Sequence, residues 1–255
     1  MIVLNIVVMT ALGVGGATVI GAVVGFFFKK LSHKYSDYIL SFAAGVMLCA
    51  AVCGLVLPSL EYGKGVPAIF VTVVGIFCGA LLLNFIDKLV PHLHRMSGKD
   101  IEGHGKENEK LNKVLLFVMA IAIHNLPEGI AAGVGFGTGN TAKAVTIALG
   151  IALQNIPEGM VIIAPMLASG MGNRKTFVIA ALTGVVEVVG TFIGYFAVSI
   201  SSAVLPFALA FAAGTMLYVI SDEMIPETHH NSERGITYLL LVGFCLMLVM
   251  DFFLA

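Results

Sequence analysis

Charged residues are scarce in this chain, and their scarcity sets its class. Only 11% of the 255 residues are Asp, Glu, Lys or Arg, whereas 58% are hydrophobic and the mean hydropathy is +1.00. A soluble domain carries about 25% charged residues. Because the deficit extends along the whole chain, the composition excludes an ordinary soluble domain and predicts an all-α integral membrane protein.

Three other features are missing. The net charge is only −1 and no basic patch has interleaved aromatics, so nothing points to a nucleic-acid partner. No positive segment precedes the apolar first 28 residues, so we expect a retained membrane span rather than a cleaved signal peptide. The four cysteines, Cys49, Cys53, Cys78 and Cys245, form no CxxC pair. They are typical of small core residues rather than of a disulfide or zinc framework.

Long apolar runs fill most of the chain. A membrane-spanning helix needs about 20 apolar residues. Eight runs meet this requirement, at roughly 3–28, 38–60, 66–90, 113–136, 141–168, 175–199, 202–222 and 235–254. We therefore predict a single transmembrane domain over residues 1–255 with eight helices, short turns and one long hydrophilic loop at about 91–112.

The basic residues predict the orientation of these helices. Of the 14 Lys and Arg, all but Lys64 and Lys143 lie in the loops after spans 1, 3, 5 and 7 or at the span ends that border these loops. Cytoplasmic loops carry the excess of basic residues in membrane proteins. We therefore expect these four loops in the cytoplasm, both termini outside it, and the protein in the cell (inner) membrane.

One phrase occurs twice, in spans 4 and 5. Residues 121–129 read IAIHNLPEG and residues 151–159 read IALQNIPEG. Each copy places a carboxylate and a proline within an apolar run, and ionisable residues inside a membrane are expensive and usually functional. We therefore expect these two segments to form the functional centre.

Helical spacing brings the polar residues of each copy together. His124 and Glu128 are four residues apart, as are Gln154 and Glu158, so each pair shares a helical face. The prolines Pro127 and Pro157 remove a backbone hydrogen bond and predict a kink in helices 4 and 5. A short loop makes these helices antiparallel, so the two motifs are expected to meet near the bilayer midplane.

The residue types at this meeting point favour a metal ion. Candidate ligands are His124, Asn125, Glu128, Gln154, Asn155 and Glu158, with Glu187 added from the middle of span 6. One imidazole with carboxylates and amides, and no thiolate, suits Zn(II), Fe(II), Mn(II) or Cd(II) better than Cu(I), Ca²⁺ or Mg²⁺. The donors exceed the needs of one tetrahedral ion, so a second metal sharing the glutamates remains an alternative.

Two other kinds of membrane protein also carry ionisable residues within their spans. An intramembrane metalloprotease would carry His-Glu-x-x-His on a helix, whereas Asn125 follows His124 and no second His has the required spacing. A proton-coupled carrier of an organic substrate would use the glutamates as proton relays instead of metal ligands.

Glycine pairs four residues apart, Gly21 with Gly25 and Gly129 with Gly133, predict close helix packing whatever the function of the protein.

The two motifs resemble the signature of the ZIP family of metal transporters, in particular its bacterial GufA-like branch. The resemblance covers essentially the whole chain and includes the SDEMIPE segment at 221–227, which ends span 7. It implies a transporter rather than an enzyme, importing zinc, and often iron, manganese or cadmium, into the cytoplasm. It also implies a homodimer, and an inverted-repeat bundle with its site at the midplane.

The resemblance further implies a binuclear centre. One site would use Met47, His124, Glu128 and Glu158; Met47 read alone is typical of core packing. The second site would use Asn125, Gln154, Asn155 and Glu187, with Glu128 and Glu158 bridging. Some relatives have Asp where this chain has Asn155, and a neutral amide there weakens the second site for a dication.

Polar residues near the end of span 7 are candidates for metal exit towards the cytoplasm: Asp222, Glu223, Glu227, His229 and His230. The long loop also carries His92, His94 and His104, for which a solvated loop without metal is an equal alternative.

Overall fold

The computed structural model describes residues 2–28, 33–63, 65–89, 122–123, 125–168, 170–200, 202–229 and 234–254. Within these ranges the chain is helical and contains no strand. The hydrophilic segment 91–112 lies outside them, and so do His124 and His230.

Apolar sequence dictates the helices. In chain order they are α1 (Ile2–Phe27), α2 (His33–Cys49), α3 (Leu57–Tyr62), α4 (Val66–Leu89), α5 (125–134), α6 (Thr141–Val161), α7 (Ile163–Ala168), α8 (Asn173–Ile200), α9 (Leu205–Val219), α10 (Ile225–Thr228) and α11 (Arg234–Leu254).

Seven helical segments of the described chain are long and apolar enough to cross a membrane. They are Val3–Phe27, Lys34–Tyr62, Pro67–Ile86, Thr141–Val161, Asn173–Ser199, Leu205–Thr228 and Gly235–Leu254. These match seven of the eight predicted spans. The remaining predicted span, at 113–136, lies partly outside the described residues, and its described part contains α5.

Two of the spans contain a π-helical segment. The segment Ala50–Val56 joins α2 to α3, and Ile220–Met224 joins α9 to α10. Each segment is followed by a proline, Pro58 or Pro226, at the start of the next helix. Because proline has no N–H to donate, a wider turn with i→i+5 bonds is tolerated just before it, and such turns often mark functional positions.

The helices pack in two sets. The motif bundle consists of α1, α5, α6 and α8, in which α1 packs along both α6 and α8. The second bundle consists of α2, α3, α4, α9, α10 and α11, in which α2 packs along α11 and α4 along α9. The contact between α2 and α6 joins the two bundles.

Glycine makes the close approaches inside the motif bundle. A Cβ atom on Gly21 or Gly25 would strike the carbonyl oxygens of α6, and one on Gly129 or Gly133 would strike those of α8. Small residues at such crossings let helix backbones approach closely in a membrane. The predicted packing role of both glycine pairs is confirmed.

Glycine also permits close helix packing in the second bundle, and the contribution of this packing to stability can be tested. A Cβ on Gly45 of α2 would collide with the Leu240 carbonyl of α11. We expect Gly45→Ala to destabilise the protein by about 1–3 kcal/mol, because the backbones must separate. The melting temperature in detergent should fall accordingly.

Gly13→Ala is the matched control, because a Cβ at Gly13 of α1 has no neighbour within 4 Å. Its melting temperature should equal or exceed that of the wild type, since alanine favours the helix by up to about 1 kcal/mol. Equal losses in the two variants would contradict the packing described.

Candidate metal centre

A tight turn sets the two motif helices side by side. Gly135–Thr138 form a short 3₁₀ turn, and Gly139 follows with a φ of 73°, a conformation that glycine adopts readily. The side chain of Asn140 then caps α6 by accepting the Lys143 N–H at 3.1 Å. With so short a connection, α5 and α6 run antiparallel.

The two copies of the motif meet through Glu128 and Gln154. The Gln154 Nε2 donates to Glu128 Oε1 at 2.8 Å. Glu128 is 1% exposed and Gln154 fully buried. The predicted meeting of the two motifs is therefore present at this pair.

Two acceptor oxygens at this pair have no hydrogen-bond partner among the described residues. They are Glu128 Oε2 and Gln154 Oε1, and both are buried. A buried acceptor without a partner loses its interaction with water and gains nothing in exchange. Two such oxygens on contacting side chains could serve as ligands for a cation.

Glu187 of α8 gathers hydrogen bonds from three other helices. Thr18 Oγ1 of α1 and Asn125 Nδ2 of α5 donate to its Oε1, and Asn155 Nδ2 of α6 donates to its Oε2, each at 2.5 Å. All four side chains are at most 3% exposed. The carboxylate of Glu187 therefore ties together the four helices of the motif bundle.

Asn155 has a further acceptor to offer. Its Nδ2 lies 3.3 Å from the Val14 carbonyl as well as donating to Glu187. Its Oδ1 is buried without a hydrogen-bond partner among the described residues. The amide oxygen thus joins those of Glu128 and Gln154 as a third buried acceptor in the motif bundle.

Three acidic side chains are gathered here. The carboxylates of Glu128, Glu158 and Glu187 lie close enough for mutual electrostatic repulsion. Glu158 is half-buried, whereas Glu187 is fully buried. Within the described ranges no three His, Cys, Asp or Glu side chains are close enough to hold a metal together. The imidazole predicted to complete the site, that of His124, lies outside those ranges.

Met47 belongs to the second bundle. It lies on α2, is 1% exposed, and belongs to the same apolar cluster as Ala131 of α5 and Ile151 of α6. Its position between the bundles is compatible with either packing or ligation.

Four of the predicted exit residues lie in the described segment that follows α9. Asp222 and Glu223 belong to the π-helical segment, Glu227 belongs to α10, and His229 follows α10. Asp222, Glu227 and His229 are exposed, and Glu223 is half-buried. The His229 Nδ1 lies 2.9 Å from the Ile225 carbonyl oxygen, so this nitrogen is engaged with the helix end.

Thr18 is the site residue that sequence reasoning missed. Its hydroxyl touches Glu187, although 169 residues separate them. A signal was present in the sequence: Thr18 precedes Gly21-x₃-Gly25 by three residues, and Glu187 precedes Gly190-x₃-Gly194 by the same interval. Aligning the two glycine pairs would have placed these polar residues at equivalent positions.

Comparison with known proteins agrees with the motif. The family model described as ZIP zinc transporter matches residues 91–251. The zinc transporter GufA of Myxococcus xanthus is 41% identical over 93% of this chain and 94% of its own length. The zinc transporter ZIPB of Bordetella bronchiseptica is 36% identical over 92% of this chain and 77% of its own length.

The similarity extends to animals. The zinc transporter ZIP11 of Homo sapiens is 30% identical over 92% of this chain and 93% of its own length. Relatives of this kind align along nearly the whole chain, with the helices and the duplicated motif included. The protein therefore belongs to the ZIP family, whose members are transporters and not enzymes.

Proposed function

We propose that the protein transports zinc across the membrane into the cytoplasm through a metal centre between α5, α6 and α8. The observation that carries the proposal is the pair of unpartnered buried oxygens on Glu128 and Gln154. The names of the relatives, which describe them as zinc transporters, support the same substrate. Iron, manganese and cadmium share these ligands and are proposed as further substrates.

The energetics favour a cation at this position. A carboxylate at the centre of a span costs about 2.5–3.5 kcal/mol on the insertion scale. Amide and hydroxyl donors offset part of this cost at Glu187, but one Glu128 oxygen is left without a donor among the described residues. A dication between the glutamates would satisfy that oxygen and reduce their mutual repulsion.

The proposed ligands form two adjacent sites. Met47, His124, Glu128 and Glu158 would hold the first ion. Asn125, Gln154, Asn155 and Glu187 would hold the second, with Glu128 and Glu158 bridging. The Glu187 carboxylate already accepts hydrogen bonds from Asn125 and Asn155, and an ion at the second site would have to replace them. We therefore propose that the first site is the stronger one.

An inverted repeat would explain how the two motifs come to face each other. Gly15 of α1 and Gly184 of α8 contact each other reciprocally, as residues beside a two-fold axis do. Gly21 packs on the Ile156 carbonyl, and Gly190 packs on the carbonyl of Leu126, which has the same place in the other motif copy. These matching contacts support a two-fold axis that exchanges α1 with α8 and α5 with α6.

The second bundle supports the same symmetry. Gly45 of α2 packs on the Leu240 carbonyl of α11, while Gly214 of α9 packs on the Ile76 carbonyl of α4. The π-helical segments Ala50–Val56 and Ile220–Met224 occupy corresponding places in α2 and α9. We propose an axis in the membrane plane, as in transporters whose site lies between inverted repeats.

Further parts of the proposal concern kinks, topology and assembly. Pro157 lies within the continuous helix α6, so we propose a bend there rather than a break. The distribution of basic residues supports a topology in which both termini lie outside the cytoplasm. The exit residues Asp222, Glu223, Glu227, His229 and His230 would receive metal on the cytoplasmic side, and the working unit would be a homodimer.

Removing a ligand tests the transport proposal. We expect Glu128→Gln and His124→Ala each to lower zinc flux by roughly tenfold or more, because each removes a proposed metal ligand from the first site. Flux is measured in proteoliposomes that contain a zinc-sensitive dye. Gln is nearly isosteric with Glu, so the buried volume at Glu128 is preserved.

His33→Ala is the matched histidine control, since His33 begins α2 far along the chain from the motifs. Its flux should equal that of the wild type. Wild-type flux from both ligand variants would refute the assigned centre.

Thr18 provides a second test, through a residue that does not bind the metal in this proposal. Thr18→Val removes the hydroxyl that donates to Glu187 but keeps the shape of the side chain. We expect a roughly 10–100-fold loss of zinc affinity, the usual effect of losing a hydrogen bond that orients a ligand. Calorimetric titration of zinc into the detergent-solubilised protein measures the affinity.

Thr18→Ser keeps the hydroxyl and should restore the wild-type affinity. If Val and Ser at position 18 gave the same affinity, the orienting role of Thr18 would be wrong.

A further inference from the structure

The turn between the two motif helices is internally braced. Thr138 Oγ1 donates to the Gly135 carbonyl at 2.8 Å and accepts the Asn140 N–H at 3.2 Å. Asn140 in turn caps α6 through the Lys143 N–H. Because these bonds tie α5, the turn and the start of α6 together, a force applied to the turn acts on both motif helices.

Two residues of α3, a helix of the second bundle, contact this turn and the start of α6. The Tyr62 hydroxyl donates to the Thr138 carbonyl at 2.7 Å. The Glu61 carboxylate lies 3.7 Å from the Lys143 ammonium. The Glu61 side chain is 65% exposed and that of Lys143 19% exposed, so this ion pair lies at the solvent-accessible edge of the contact.

Helix α3 is itself held in place by other helices of the second bundle. Ser59 of α3 donates to the Pro206 carbonyl of α9 at 2.7 Å, and its hydroxyl lies 2.8 Å from that of Thr72 in α4. Ser59 is fully buried and Thr72 is 2% exposed. The end of α3 is therefore held by two other helices of the second bundle, while it reaches across to the motif bundle.

We propose that Glu61 and Tyr62, with Thr138 and Lys143, form a clasp that closes the space between the two bundles at this end and must open during each transport cycle. The inference rests on the proposed transport function. Within each bundle, glycine contacts bring helix backbones together and resist separation. The clasp contacts are instead one hydrogen bond and one exposed ion pair, which are individually weak and easily broken.

The clasp also explains the position of one exceptional basic residue. Lys143 is one of only two Lys or Arg residues outside the predicted cytoplasmic loops. Its pairing with Glu61 accounts for a lysine on the side of the membrane where basic residues are otherwise scarce. By the same rule, the clasp lies on the outer side and closes the entrance.

Reversible cross-linking tests whether the clasp must open. In the full chain with its four cysteines replaced by alanine, Glu61→Cys and Lys143→Cys are combined and treated with a short bifunctional thiosulfonate. We expect zinc flux in proteoliposomes to fall to the level of protein-free liposomes and to return after reduction. Each single-cysteine variant, treated identically, should keep its flux.

Two results would overturn the clasp: undiminished flux when mass spectrometry shows complete cross-linking, or failure of the two cysteines to cross-link at all. Absence of flux from the uncross-linked cysteine-free parent would count against the transport proposal instead, and the cross-linking yield would still test the contact.

A charge exchange tests the ion pair without any reagent. Glu61→Lys and Lys143→Glu should each change the flux, because each places two like charges together. The combined exchange should restore the wild-type rate, whereas simply additive effects would contradict the pairing. Tyr62→Phe should likewise change the rate, and Tyr238→Phe on α11, an exposed tyrosine, serves as its matched control.

Discussion

A carboxylate buried within a membrane must find compensation, and this constraint governs the protein. Glu128 is 1% exposed and Glu187 is fully buried. Glu187 receives neutral donors from three helices, which lowers the cost of burying its carboxyl group. Glu128 receives one donor from Gln154 and keeps a second oxygen for which the described residues offer no partner. The proposed substrate is the missing compensation.

Close packing makes this concentration of polar groups feasible. Glutamate, asparagine and glutamine side chains can reach one another only if their helix backbones are near. Gly129 and Gly159, the last residues of the two motif copies, pack directly on the carbonyls of Glu187 and Thr18. The same short motif therefore contains both proposed ligands and a glycine, whose lack of a side chain lets the neighbouring helix approach. A larger residue at either glycine would separate the proposed ligands.

The two bundles divide the work of the fold. The motif bundle carries nearly all the proposed ligands, while Met47, the remaining one, lies on α2 of the second bundle. A centre carried by one bundle would become accessible from either side if that bundle shifted against the other, as in transporters that work by alternating access. The π-helical segments before Pro58 and Pro226 lie in the second bundle. They widen the helical turn directly after α2 and α9, and the chain stays helical through them.

Much of this organisation could be predicted from the sequence. Apolar length predicted the spans, and the duplicated IAxxNxPEG phrase predicted that α5 and α6 meet, because a short turn between apolar helices leaves few other arrangements. The contact of Thr18 with Glu187 could not be found in that way, since it depends on the register between helices 169 residues apart. The π-helical segments have no periodic signature, and a proline alone predicts only some local distortion. Helical spacing also does not predict which acceptors the side-chain amides bind. The hydrogen bonds from these amides to Glu187 were therefore not predicted.

The most direct measurement is anomalous scattering from crystals soaked in zinc, recorded on both sides of the zinc absorption edge. The account predicts a zinc peak between Glu128 and Glu158, within bonding distance of a carboxylate oxygen of each. A well-ordered crystal with both glutamates resolved and no zinc between them, or with zinc held only elsewhere, would contradict the central claim.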